Sequence, residues 1–175
     1  MALTDCSLIT DVLRDCRDSV GGIQEFYVTE FENVPQANIT VSSGIVTAID
    51  CTSGKKFWVY QLEKNDADFT EVDNNSVDNG TVFYTQTLNV TLKKMTATHR
   101  NNLERLSKNR LMIIIKDRNN NYWLLGRTNG MDKTAGTTQT GRAFGDLNGH
   151  TITFTGMEAT KAEQVTSSLI SALFS

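Results

Sequence analysis

The sequence predicts a mainly β fold, of the β-sandwich or β-barrel type, for three reasons. The chain holds 23 threonines and 12 glycines but a single proline, a composition that favours strands and tight turns. Several segments alternate between apolar residues and threonine, as a strand with one buried face does. Spacing typical of a helix occurs convincingly in one place, so we expect one central helix. With 175 residues, the chain has the length of one domain.

Strands dominate the N-terminal half of the prediction. Residues 23–31 form the first strand, and residues 39–49 form another that bends at Gly44. A third strand covers 57–62. The polar, acidic residues 64–80 are predicted to be a solvated loop that ends in a hairpin turn at Asp78-Asn79-Gly80. The clearest strand follows over 82–92, where apolar residues alternate with hydroxyl-bearing ones.

The predicted helix comes directly after this strand. Its apolar face is formed by residues at spacings of four, four and three, namely Met95, His99, Leu103 and Leu106. Thr96 is a suitable N-cap because its hydroxyl can accept a bond from a free amide of the first turn. We therefore expect a helix over residues 96–108.

The C-terminal half begins with a predicted hairpin of Leu111–Lys116 and Tyr122–Gly126. Residues 127–149 then contain five glycines and few apolar residues, which predicts a long connection without secondary structure. A strand is expected at 151–157. The last residues, 158–175, have apolar side chains at helix-like spacing and are predicted to be a weak helix or a mobile segment.

Three regions follow from this pattern: an N-terminal docking arm at 1–20, one β-rich domain at 21–160, and a C-terminal tail or short helix at 161–175. Residues 4–20 can form a short helix, but the start of the chain lacks the features of a secretory signal. We expect a soluble protein without a membrane span, made in a cytosol. Its three cysteines, Cys6, Cys16 and Cys51, are then expected to stay reduced.

The residues that carry chemistry show no catalytic pattern. A formal net charge of −3 argues against a protein that wraps nucleic acid. The glycines do not have the spacing of a phosphate-binding loop, and neither His99 nor His150 has a partner at metal-ligand spacing. We therefore assign no catalytic, cofactor-binding or metal-binding residue, and expect a protein that is not an enzyme. A pair of carboxylates for glycoside hydrolysis stays open, because spatial separation is not visible in a sequence.

Aromatic residues offer a different function. Trp58 and Tyr60 lie in one predicted strand, and Tyr122 and Trp123 lie in another. Such side chains can form a platform for a sugar or a base, although aromatic residues in strands more often fill a core or an interface. A carbohydrate-binding β-sandwich module is therefore an alternative interpretation.

A set of short motifs resembles small virion structural proteins of tailed phages, most closely those of crAss-like gut phages, over residues 16–160. The motifs are Cys16-x4-Gly21-Gly22-Ile23-x2-Phe26-Tyr27, Asn79-Gly80-Thr81, Leu106-x3-Arg110, Ile115-x-Asp117-x-Asn119-x2-Tyr122-Trp123-x-Leu125-Gly126, Gly130, Ala135-Gly136-Thr137, Thr140-Gly141, Gly145-Asp146-x-Asn148-Gly149 and Phe154-x-Gly156.

This resemblance implies a subunit of a homo-oligomeric ring in the tail or neck of the virion, around the DNA conduit, without catalytic residues. The partners implied are further copies of the chain and neighbouring tail or portal-proximal proteins, with packaged DNA close by. An auxiliary capsid protein is the alternative. A long loop that reaches the adjacent subunit is also implied, and the residues that we assign to it are Gly130, Gly136, Thr140, Gly141, Gly145 and Asp146.

Overall fold

The computed structural model of the protein describes residues 11–14 and 17–174. The fold is mainly β, with two sheets and few helices. The strands are β1 (Ile23–Glu30), β2 (Ile39–Ser42), β3 (Ile45–Ile49), β4 (Trp58–Gln61), β5 (Ala67–Ser76), β6 (Thr81–Lys93), β7 (Leu111–Asp117), β8 (Tyr122–Leu125), β9 (Asp132–Gln139), β10 (Gly149–Glu158) and β11 (Glu163–Val165).

The larger sheet has seven strands in the order β2-β3-β11-β8-β7-β1-β4. Its neighbours pair antiparallel except for β3 and β11, which are parallel. The smaller sheet has four antiparallel strands in the order β5-β6-β10-β9. The open edges of the two sheets are thus formed by β2, β4, β5 and β9.

A first core cluster joins the two sheets. It contains Phe26 of β1 and Ile113 of β7 from the larger sheet, and Leu88 of β6 and Phe154 of β10 from the smaller one. Strand β6 buries alternate residues, as its sequence predicts, because its even positions face this cluster.

A second core cluster lies on the other face of β7. Met112 and Ile114 belong to it, whereas Ile113 and Ile115 belong to the first cluster. Strand β7 is therefore covered on both faces, which explains its unbroken apolar sequence. The C-terminal residues Ile170 and Leu173 complete the second cluster.

Helix α1 spans Ala97–Leu106, within the predicted range of 96–108. The Thr96 hydroxyl accepts a hydrogen bond from the His99 amide at 3.2 Å, so this residue is the N-cap that the sequence indicates. Leu103 and Leu106 pack against the first core cluster. A second, four-residue helix, α2, lies at Ser167–Ile170 and leads into a 3-10 turn at Ser171–Phe174.

Several local predictions were wrong. Residues 39–49 form two strands, because Ser43 and Gly44 both adopt positive φ angles, of 51° and 76°, and close a hairpin. The acidic stretch predicted as a loop contains β5, and the connection predicted at 127–149 contains β9. The tail is not one helix, since β11 inserts Glu163–Val165 between β3 and β8.

The N-terminal arm is described in part. Residues 11–14 and 17–20 adopt no regular secondary structure, and the remaining residues of the predicted helix at 4–20 lie outside the described residues. Cys51 is a free thiol, half-buried beside the second core cluster, and burial raises its pKa. Cys6 and Cys16 also lie outside the described residues.

Candidate assembly surfaces

Of the six residues predicted to form an interface loop, two lie outside the loop that the structure shows and four lie within it. Gly130 is buried, with a φ of 84°, and a Cβ atom there would collide with the Arg110 side chain. Gly136 lies within β9. The other four, Thr140, Gly141, Gly145 and Asp146, lie on the connection between β9 and β10, residues 140–148, which we call the tip loop. The structure thus brings four of the six together.

Asp146 holds the tip loop in shape. Its Oδ2 atom accepts hydrogen bonds from the Arg142 and Ala143 amides, both at 2.8 Å, and these bonds lower the pKa of the carboxyl. Gly141 has a φ of 69°, and a Cβ atom on it would collide with Asp146. The loop therefore has a defined conformation although its residues are mostly exposed.

Phe144 lies within this loop with its ring completely exposed, at a relative exposure of 113%. An isolated exposed apolar side chain is ordinary on a protein surface. Here, however, a large aromatic ring lies on a loop that internal hydrogen bonds keep in place, so little conformational entropy would be lost when the ring is buried by a partner. Phe144 is thus a candidate contact residue that the sequence analysis did not single out.

Strand β9 forms one edge of the smaller sheet. All its residues are exposed except Lys133, which is half-buried. The Lys133 ammonium donates hydrogen bonds to the Leu103 carbonyl at 3.3 Å and to the Ser107 hydroxyl at 2.9 Å, and burial lowers its pKa. Residues 134–139 have neither charge nor proline. Charge and proline, which commonly prevent strand addition, are thus absent here, although a β-bulge at Thr134 interrupts the pairing with β10.

Strand β5 forms the opposite edge of the same sheet, and most of it is exposed. Three carboxylates lie along it. The Glu71 carboxylate accepts bonds from the Gln86 amide at 3.1 Å and the Ala162 backbone N–H at 2.8 Å. Asp68 accepts a bond from Asn89 at 3.0 Å, and Asp73 pairs with Lys161 at 3.0 Å. The two edges of the sheet therefore differ in sequence and in charge.

The outer face of the smaller sheet is rich in threonine. The register places Thr155 beside Thr87, with Thr70 next along the row, and Thr153 beside Asn89. The Thr153 hydroxyl donates to the Asn89 side chain at 2.9 Å, and the Thr134 and Thr155 hydroxyls are 3.0 Å apart. Hydrogen bonds across the strands thus order a largely uncharged surface.

A groove of about 990 Å³ separates β4 from α1. Trp58 and Tyr60 line it, and the Tyr60 ring stacks on Phe26 with 4.8 Å between centroids. The Lys56 ammonium lies 5.2 Å from the centroid of the Trp58 ring, so a cation already occupies one face of this ring. That contact disfavours Trp58 as a free platform for a sugar.

The second predicted aromatic pair lies elsewhere. Trp123 packs against the first core cluster and donates a hydrogen bond from Nε1 to Asp117 at 3.3 Å. Tyr122 packs against the second cluster. The four aromatic residues therefore do not form one platform, and three of them, Tyr60, Tyr122 and Trp123, pack against the two core clusters.

The two histidines each have a ring nitrogen within hydrogen-bond distance of a neutral oxygen atom of the chain. His150 is 1% exposed, and its Nδ1 atom lies 2.8 Å from the Thr138 hydroxyl. Burial, followed by the charges of nearby basic groups, lowers the pKa of His150. The Nδ1 atom of His99 lies 3.0 Å from the Lys94 carbonyl. In the part of the chain that the structure describes, no three His, Cys, Asp or Glu side chains cluster as a metal site.

Within residues 11–14 and 17–174, no helix combines the length and the apolar character needed to cross a membrane. Comparison with known proteins gives no relative: no family model, curated protein or solved structure matches the chain.

Proposed function

We propose that this chain is a non-enzymatic structural subunit that assembles into a homo-oligomeric ring of a phage tail, around the DNA conduit. One observation carries the proposal. The smaller sheet ends in two exposed edge strands, β5 and β9, and beyond the bulge at Thr134 the β9 edge has neither charge nor proline over residues 135–139. A subunit with two such edges can satisfy both by joining further copies.

The direction of the strands supports closure into a ring. A sheet of four antiparallel strands has edges that run in opposite directions, so β9 of one copy can meet β5 of the next as an antiparallel pair over the residues beyond its bulge. Because the two edges differ, the contact is head-to-tail, and head-to-tail contacts form a ring when the rotation closes. Each copy would then contribute four strands to a continuous sheet.

In this proposal the two sheets form a β-sandwich with α1 as its central helix, and the tip loop contacts the next copy or a neighbouring tail or portal-proximal protein. The resemblance of the sequence motifs to phage structural proteins supports a virion location, with synthesis in the cytoplasm of the host. The hydroxyl-rich outer face of the smaller sheet suits a wall along which DNA slides, because threonine holds phosphate far less strongly than lysine or arginine.

The oligomeric state of the recombinant full chain tests the proposal directly. We expect sedimentation velocity to show a discrete oligomer and negative-stain images to show rings. Thr137→Lys on β9 should leave the far-UV circular dichroism unchanged and shift the chain to monomer, because an edge lysine opposes strand pairing. Ser168→Lys, on the exposed surface of α2, is the matched control and should assemble normally. A chain that stays monomeric at high concentration and never forms rings contradicts the proposal.

A further inference from the structure

Strand β4 leaves part of its backbone unpaired. The Leu62 amide donates to the Gln24 carbonyl of β1 at 3.1 Å, so Leu62, Tyr60 and Trp58 share the hydrogen bonds with β1. Because bonding alternates along an antiparallel strand, the N–H and C=O groups of Val59 and Gln61 point to the open edge. Phe57 has the same parity, and its amide donates away from β1, to the Leu173 carbonyl at 3.0 Å.

This open edge faces the groove along α1. The helix supplies His99, Asn102 and Leu103 to one wall, and β4 supplies the other. Trp58 and Val59 are 63% and 50% exposed. As neighbours on a strand, they point to opposite faces of the sheet. A groove between an edge strand and a helix is a known receptor for an extended segment that adds as a further strand.

The N-terminal arm offers such a segment. Val12 and Leu13 are 96% and 81% exposed, so they have little apolar contact within their own chain. The arm is fixed further along, where the Val20 amide and carbonyl each bond the Asn119 side chain at 2.9 Å. Residues 11–20 span at most about 33 Å when extended, which allows a contact with an adjacent copy.

We propose that residues 11–14 of one copy add as a strand to β4 of a neighbouring copy, in the groove beside α1. Four residues then face the four of β4. Val12 and Leu13 point to opposite faces of the added strand, and the exposed Trp58 and Val59 do the same on β4. The inference rests on the proposed assembly of identical subunits.

Charge favours a parallel orientation of the added strand. Lys55 and Lys56 line the end of the groove beside Trp58, together with Glu30, which leaves one net positive charge there. Glu63 and Asp66 line the end beside Leu62, where both pair with Lys93, at 2.6 and 3.0 Å, which leaves one net negative charge. A parallel strand brings Arg14 to the acidic end, and an antiparallel strand brings it to the lysines. Opposite charges therefore select the parallel arrangement.

A labelled synthetic peptide of residues 1–20 tests the added strand on the full chain, at a dilution where sedimentation velocity shows monomer, so that no neighbouring arm already fills the groove. We expect saturable binding in fluorescence anisotropy that Val59→Pro weakens at least tenfold, because proline removes the edge N–H without taking a bond from β1. Val59→Ala is the matched control and should bind within about threefold of the unaltered chain. A peptide with Val12→Asp and Leu13→Asp should not bind.

A charge exchange tests the orientation. The Arg14→Glu peptide should bind the unaltered chain roughly two- to fivefold more weakly, as for an exposed ion pair. Glu63→Lys in the chain should restore its affinity. If the exchange fails to restore binding, the parallel orientation is wrong.

The outcomes separate this inference from the proposed function. If rings form and the peptide does not bind, or Val59→Pro binds as well as Val59→Ala, the arm does not add to β4 although the assembly stands. If the peptide binds as expected and the unaltered chain never forms rings, the ring fails and the added strand stands. Binding of a glycan array probe that Trp58→Ala abolishes, without peptide binding, would assign the groove to a sugar.

Discussion

Replacement of Phe144 by alanine separates assembly from folding. The ring is completely exposed in the monomer, so its removal takes no buried contact from the folded chain. We expect the free energy of unfolding to change by less than about 0.5 kcal/mol, as for other exposed positions. If a neighbouring subunit buries the Phe144 side chain, its removal should weaken the free energy of association by about 1.5–3 kcal/mol. That range corresponds to a dissociation constant weakened roughly 10- to 150-fold.

Sedimentation velocity over a concentration series measures the second quantity, and chemical denaturation of dilute monomer measures the first. Phe144→Tyr keeps the aromatic ring and is the matched control, with assembly expected close to that of the unaltered chain. The reasoning is refuted if Phe144→Ala unfolds at clearly lower denaturant, since the ring would then support the fold. It is equally refuted if assembly is unchanged.

Three further predictions concern the fold that carries these surfaces. Glu158→Ala should lower the free energy of unfolding by about 2–4 kcal/mol in urea denaturation, because the buried carboxylate accepts hydrogen bonds from the Thr128 and Asn129 amides at 2.8–3.2 Å. A loss below about 0.5 kcal/mol would contradict this prediction. Gly156→Ala should cost about 1–3 kcal/mol by the same measurement, since its Cβ would lie 2.5 Å from the Met131 sulfur, and an unchanged midpoint would show that the site relaxes freely. His150 has a lowered pKa in the folded chain, so the unfolded chain binds more protons and stability should fall as pH drops below about 6.5. His150→Gln should reduce this pH dependence between pH 7.5 and 5, and equal slopes in the two chains would exclude His150 as its cause.

The sequence predicts best the strands whose burial follows a simple pattern. Strand β6 alternates because one face meets the first core cluster, and β7 is apolar throughout because both faces are covered. The helix can be predicted because the sequence contains both apolar residues at helical spacing and an N-cap residue, Thr96, which caps the helix in the structure. In each case burial by distant parts of the chain leaves a periodic trace in the local sequence.

The edge strands leave no such trace. Strand β9 is exposed on both faces except at Lys133, so its threonines and glycine look like a connection. Strand β5 buries little beyond Ala67, and its three carboxylates make the segment resemble a solvated loop in the sequence. Strand β11 has three residues, and it pairs with β3 from more than a hundred positions earlier. Non-local pairing of this kind cannot be inferred from local periodicity.

The irregular backbone of the tip loop could be predicted from local sequence preferences, whereas its exposed aromatic side chain could not. Glycine and aspartate have strong local preferences, so the turn built by Gly141 and Asp146 could be anticipated as irregular backbone. The exposure of Phe144 could not, because a phenylalanine between alanine and glycine is equally compatible with a core position. The available signal was its place among residues without other apolar anchors.

The edge strands that local periodicity fails to predict are also those that bury the least apolar surface within the chain. An edge strand with two exposed faces gains little from apolar burial, and half of its backbone groups are bonded to water rather than to a neighbour. Threonine suits this situation, because it favours extended backbone while remaining compatible with water. A second subunit that pairs with β9 beyond its bulge would replace exposed backbone by hydrogen-bonded backbone without requiring a new apolar surface. The composition of β9 is therefore compatible with the proposed assembly, in which a neighbouring copy would supply the missing strand partner.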